Sequence, residues 1–369
     1  MNFDPRPWTL VGDPPADALM QRLQADHNIA EVDPLLLRMV READPAPEGL
    51  PSYLREFLAD THSPHRGDEA EAVARAERFF GAHGPSIIML LGFASLPWTY
   101  SLRDGASILV HTGQLTRHAH RRVLETTQFV VDAFAGGGLG HGGAGLRDAQ
   151  KVRLMHTAIR RYVLQSGRWD VQARGIPVCQ ADLLATLCSF THVVLDGLAR
   201  MGVHVDPVDA EAWVAAWRVL GRNLGIDEQL LPRDAADARA KSEALVAVRA
   251  GESEDGKVLA ASLCAFLESL GPHGILAAMV PTQIRFFLGD QRGDWLGLPP
   301  ANYTRHLIDA INAADATLHR VEEQSHLFES AGSMLGHAII EGLLAAERGG
   351  TRPPFAIPPS LRTAWHSGA

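Results

Sequence analysis

The fold turns on the stretch "HRRVLETTQFVVDAFAGGGLGHGGAGLRDAQKVRLMHTAIRRYVL", residues 120–164. Within it, "GLGHGG" (138–143) spells G-x-G-x-x-G. That pattern cradles a pyrophosphate only where a strand enters the glycines and a helix leaves them. Here "FVV" could begin a strand, but Leu124, Thr127, Val131 and Phe134 recur at helical spacing. No acidic residue closes a βαβ unit about 20 residues further on, and no GK[ST] follows for a P-loop. The stretch therefore reads as helix, loop, helix. Seven glycines within ten residues (136–145) read as a flexible joint, because glycine costs entropy to order.

Helical spacing recurs outward from this stretch. Residues 16–26, 33–43, 71–84, 208–225, 257–271 and 316–350 all carry apolar residues at helical intervals. Asp33-Pro34 supplies a cap and an N1 proline, and Gly225 and Gly271 sit where C-terminal caps belong. The charged segment 237–258 reads as a solvated helix and loop. Strand alternation is scarce, so the fold class is all-α. We expect one large helical domain over 66–348, an N-terminal helical extension over 1–65, and a proline-rich tail over 349–369 packing through Phe355 and Trp365.

Of 369 residues, 46% are hydrophobic and 21% charged, with a net charge of −9. That suits a globular chain with a sizeable core and argues against a nucleic-acid partner, which needs concentrated Lys and Arg. Cys179, Cys188 and Cys264 show neither a disulfide framework nor zinc spacing and read as packing residues. The N-terminus lacks a signal-peptide pattern. The longest apolar run, Ser86 to Trp98, is shorter than the roughly 20 residues that span a bilayer. A buried helix, no integral membrane segment and a cytoplasmic location are expected.

The helix after the glycines carries the chemistry. Val152, Met155, Ile159 and Val163 form an apolar stripe, and His156 lies beside it. Arg153 and Arg160, three residues before and four after, share roughly its face. The plainer reading is a core histidine with arginines reaching the surface. The sharper one is a haem, which offers an iron to the imidazole and carboxylates to the guanidinium forks. On the preceding helix, Arg122, Glu125, Thr126 and Phe129 follow i, i+3, i+4, i+7 spacing. They are either a solvated ion-pair face or the opposite wall of a pocket. Over "GIPVCQADLLATLCSF" (175–190), a turn leads into a helix capped by Gln180 or Asp182, with Thr186, Phe190, Val193 and Val194 facing inward.

Three ordered blocks, "RRVLETTQFVVDAFAGG", "KVRLMHTAIRRYV" and "GIPVCQADLLATLCSFTHVVLDGLARMG", resemble the latex-clearing proteins (haem b rubber oxygenases) and MpaB-type oxygenases. The 34-residue interval from Arg122 to His156 agrees with that pattern. "LLGFASLPWTYSL" and "RFFLGDQRGDWLGLPPA" extend the likeness over roughly residues 80–300. The resemblance implies an all-helical domain holding haem b, with His156 as the proximal iron ligand. Arg153 and Arg160 match flanking arginines, Arg122 and Thr126 match distal residues, and Thr186 lies on a helix lining the pocket. Glu125 departs from the pattern, since latex-clearing proteins of the well-known type carry lysine there. Asp104 is a candidate for the distal acid just upstream.

These readings predict a haem b-dependent oxygenase with Arg122, Glu125 and Thr126 as catalytic residues. Its expected partners are dioxygen and a small apolar, isoprenoid-like substrate. The alternatives are a haem protein without oxygenase turnover, such as a sensor or peroxide-handling protein, and a cofactor-free helical binding protein.

Overall fold

The computed structural model describes residues 3–26, 49–111, 114–134, 136–269 and 275–300, with side chains described except at 114–122 and 275–279. The helices read over 33–43 and 316–350, the caps at Asp33 and Gly271, the tail 349–369 with Phe355 and Trp365, and the Arg122 side chain lie outside them. Among the described residues the fold is all-α. The sole β feature there is one isolated bridge between Leu102 and Ala250.

After a 3-10 turn (Arg6–Leu10), the chain builds α1 (Pro14–Ala25), α2 (Ser52–Asp60) and α3 (Ala70–Leu90). Asp13 caps α1, accepting from Ala16 N at 3.4 Å. A π turn (Leu91–Ser95) passes α3 into α4 (Leu96–Tyr100), followed by α5 (Arg103–His111). Then come α6 (Gln114–Phe134), α7 (Ala144–Gln165), α8 (Val171–Arg174), α9 (Gln180–Phe190) and α10 (His192–Arg200). The series continues with α11 (Pro207–Asn223), α12 (Ala235–Arg249), α13 (Glu254–Ser269), α14 (Ile275–Leu288) and α15 (Asp290–Trp295). Gly225 adopts φ 81° just past the end of α11, the conformation that lets glycine close a helix.

One core cluster runs from Ala16 to Leu298 and takes in α1 as well as the later helices. Its densest part is aromatic: Trp213 of α11 stacks on Phe134 of α6 (centroids 4.4 Å), and Trp217 stacks on Phe190 of α9 (4.5 Å). The apolar run 86–98 is core, buried at every position except Leu96. Two helical stretches, Gly67–Tyr100 and Gln180–Arg200, are long and apolar enough to cross a membrane. In each, 67% of the most apolar window is buried inside the protein.

Two expectations need correcting. The charged helix α12 is not simply solvated: Lys241, Leu245 and Arg249 are buried, and α12 packs on α9. Nor is the glycine run a loose joint. Leu139 at its centre is wholly buried, and Gly145 N donates to Gly138 O at 3.0 Å while Gly143 N donates to Gly140 O at 3.0 Å. A Cβ at Gly145 would lie 2.5 Å from Ala133 Cα, and one at Gly143 would lie 2.6 Å from Gly137 O. The glycines are needed because backbone meets backbone there. Gly143→Ala is accordingly expected to cost about 1–3 kcal/mol through overpacking, measured as a lowered denaturant midpoint. An unchanged midpoint would show that the turn relaxes freely.

Candidate functional site

The tight glycine turn folds α7 back onto α6, and α9 faces both across a cleft. Between them lie two adjoining cavities of about 190 and 120 Å³. They share the walls Thr126, Met155, His156, Leu183, Thr186 and Phe190. The first lobe extends under the π turn, α4 and α5, past Leu91, Ser95, Ile108 and Leu109. The second extends toward α11, past Glu125, Phe129, Trp217 and Ile226. Glu125, Thr126, His156 and Thr186, read from three separate blocks of sequence, are thus brought to one cleft.

Burial shows that the cleft is a true void. In α9 every residue is buried except Asp182, partly exposed, and Thr186, exposed. Both line the first lobe. Thr186 donates its hydroxyl to Asp182 O at 3.0 Å, which leaves the oxygen able to accept. His156 is likewise partly exposed on a helix whose neighbouring positions 153–155 and 157–160 are buried. Polar side chains thus meet open space inside an apolar wall.

The π turn contributes a further anchor. Such turns insert an extra residue into a helix and recur at functional sites. Ser95 Oγ donates to Ser189 O at 2.7 Å, fixing the roof of the first lobe to α9. At the end of α9, Asp182 accepts from Cys179 N at 3.2 Å, so Asp182 rather than Gln180 makes the capping contact. Gln180 is a clasp instead. Its amide nitrogen donates to Gly12 O (3.0 Å) and Gly225 O (2.8 Å), and its oxygen accepts from Asp227 N (2.9 Å).

Arg249 donates to Asp182 Oδ1 at 2.6 Å and lies 3.7 Å from Asp104. Burial pushes the Asp104 carboxyl above its ordinary range, against the pull of Arg249. Asp104 is therefore part of a half-buried charge cluster beside the cavity and is not among the cavity-lining residues. The cysteines are protonated packing groups. Burial raises Cys179, Cys188 and Cys264, the last two to about 12. His141, in the glycine loop, is exposed.

Arg153 and Arg160 require a correction. Neither lines the cleft around His156. Arg153 forms a bidentate pair with buried Asp13, from Nε to Oδ2 at 2.5 Å and from Nη2 to Oδ1 at 2.7 Å. Arg160 donates to Asp17 Oδ1 at 2.5 Å and to Val178 O at 2.8 Å. The carboxylates that answer these two cations belong to the protein's own α1 and its cap. One residue of a helix can face a cavity while residues three and four away face another helix, and spacing alone does not separate these cases. Asp13 and Asp17 escaped the sequence reading, which has Gln180 only as a helix cap. Asp13-Pro14 does spell a helix start, but its partner lies 140 residues away.

His156 could serve as the one protein ligand of an iron porphyrin. Among the described residues no group of three His, Cys, Asp or Glu could hold a bare metal ion. One imidazole facing an apolar slot is what a macrocycle supplying its own nitrogens requires.

Comparison with known proteins places the chain. Residues 81–317 match the family described as "ER-bound oxygenase mpaB/B'/Rubber oxygenase, catalytic domain". A rubber oxygenase of a Streptomyces species is 26% identical over 309 residues, covering 82% of this chain and 73% of that protein. The fold is shared with a latex clearing protein solved in the closed state, at TM-score 0.76 and 23% identity, over 92% of this chain and 91% of that one. The chain therefore belongs to the MpaB and rubber oxygenase catalytic-domain family.

Proposed function

We propose that this chain is a haem b oxygenase acting on a small apolar substrate. The observation that carries this reading is the exposure of His156 and Thr186 to a void on largely buried stretches of helix, in a member of an oxygenase family. His156 would hold the haem, with Met155, Leu183 and Phe190 forming apolar walls beside it. When bound, the haem supplies the activation of dioxygen. The chain supplies the surroundings. Apolar walls exclude water and select an apolar substrate. Glu125, buried in the wall of the second lobe, can take or give a proton at its carboxyl. Thr126 and Thr186 offer hydroxyls across the cleft from each other's helix, fit to orient an oxygen-bearing ligand.

Glu125 also favours the second reading, a haem protein without oxygenase turnover, because a carboxylate replaces the lysine of the latex-clearing pattern. The first test is the absorption spectrum of the purified full chain. A Soret band, a b-type pyridine haemochrome and stoichiometric iron are expected. Colourless protein after expression with haem precursor overturns the proposal. Oxygen uptake with an alkene separates turnover from a non-catalytic role.

A further inference from the structure

The wall of the second lobe carries a donor that finds no acceptor among the described residues. Trp217 lines this lobe and is 1% exposed, and its Nε1 has no hydrogen-bond partner among the described residues. Two other buried indoles are satisfied: Trp213, one turn away, donates to Phe190 O at 2.9 Å, and Trp169 donates to Gly175 O at 2.8 Å. Buried indole N–H groups ordinarily find an acceptor, and an exception calls for a cause.

The ring cannot swing to find one. It stacks on Phe190 with centroids 4.5 Å apart and planes 13° from parallel, and Trp213 meets it edge-on at 6.0 Å. Phe129 and Phe134 close further sides, at 6.4 and 5.7 Å. Phe190, the stacking partner, is itself a wall shared by both lobes. The donor is therefore held rigidly in the wall of an apolar chamber, which disfavours a charged guest.

We propose that Trp217 recognises a neutral oxygen of the substrate, so that the enzyme acts on an oxygenated apolar molecule, a ketone, aldehyde or alcohol with a hydrocarbon body, in preference to a pure hydrocarbon. This rests on the reading of the cleft as an oxygenase site. The hydrocarbon body fills the apolar walls, and the oxygen accepts from Nε1. Trp217 is then a specificity-determining residue, and it fixes which end of the substrate enters the second lobe.

The test uses the purified full chain with two probes of equal length, the methyl ketone undecanone and undecane. Binding is followed by titration calorimetry and by the indole N–H signals of ¹⁵N-tryptophan-labelled protein. Undecanone should bind about tenfold more tightly than undecane, the worth of one good hydrogen bond, and should move the Trp217 signal. Trp217→Phe keeps the stacking ring and removes the donor. It should erase the preference, so that the two probes bind alike. Should that variant not fold, the wild-type signal, assigned by its contacts to Phe190, decides alone. A Trp217 signal that stays still while undecanone binds overturns the proposal. So does a preference that survives in Trp217→Phe, or a folded protein that binds neither probe. A missing Soret band would instead sink the haem reading and leave the ketone preference standing.

Discussion

His156→Ala is expected to yield folded, colourless protein. Removing even an outer partner of a metal ligand costs about 10- to 100-fold in metal affinity, and removing the ligand itself should cost more. Iron content and the Soret band should fall together, and oxygen uptake with them. The fold should survive. His156 sits partly exposed in the middle of a 22-residue helix, and alanine is the best helix former. The far-ultraviolet dichroism and the denaturant midpoint should stay near those of the wild type, and added imidazole should restore part of the Soret band. Asp13→Asn supplies the contrast. It weakens the buried pair with Arg153 and should lower the midpoint while the pigment remains. Full pigment in His156→Ala would move the iron to another ligand. Lost pigment in Asp13→Asn, with an unchanged midpoint, would return Arg153 to the cofactor.

The contrast between those two variants follows the line between what spacing reveals and what it hides. Helical periodicity is local, so the all-α fold and the approach of α6 to α7 could be read from the chain. The meeting of Glu125, Thr126, His156 and Thr186 was legible because each sits beside an apolar stripe that must face a core. The fate of Arg153 and Arg160 was not. Their partners, Asp13 and Asp17, lie 140 and 143 residues away, and no local pattern selects them over a cofactor's carboxylates. The glycine run misled for a related reason. Glycine serves flexibility and close backbone contact alike, and only the position of Ala133 against Gly145 tells them apart. The charges of α12 hid its buried face, since Lys241 and Arg249 are buried with carboxylate partners, Asp237 and Asp182. Trp217 looked like any core tryptophan, because an orphaned N–H is visible only in three dimensions.

Glu69→Ala is expected to be the most destabilising single substitution considered, at about 3–5 kcal/mol. Glu69 ends the 3-10 turn Gly67–Glu69 that leads into α3, and it is buried against α11. It accepts from Arg222 through both terminal nitrogens, one at 2.9 Å, from Arg218 at 3.3 Å, and from Arg66 N at 2.8 Å. Removing it strands the Arg222 guanidinium, whose side chain is 5% exposed, with only the exposed Glu228 at 3.8 Å, among the described residues, to answer it. The same end of α11 is tied through Asn223 to Ser63, by bonds of 2.7 and 3.0 Å, so the damage should reach the 61–69 connection. Acid should act in the same direction. Burial alone would raise the Glu69 carboxyl, but the bonds from Arg222 and Arg66 and the charges of Arg222 and Arg218 hold it below its ordinary value. A carboxylate lowered on folding stabilises above its unfolded pKa of about 4.3, and that stability is lost as pH falls through the folded value. Wild-type protein should therefore show an acid-side loss of stability that Glu69→Ala lacks, read from denaturant midpoints across that range. Replacing Glu69 and Arg222 together by methionine should recover much of the single-variant loss, since the cost arises from leaving one charge buried alone. If the double variant is no more stable than Glu69→Ala, the loss does not come from the stranded Arg222 charge but from the bonds that Glu69 makes across the junction of α3 and α11.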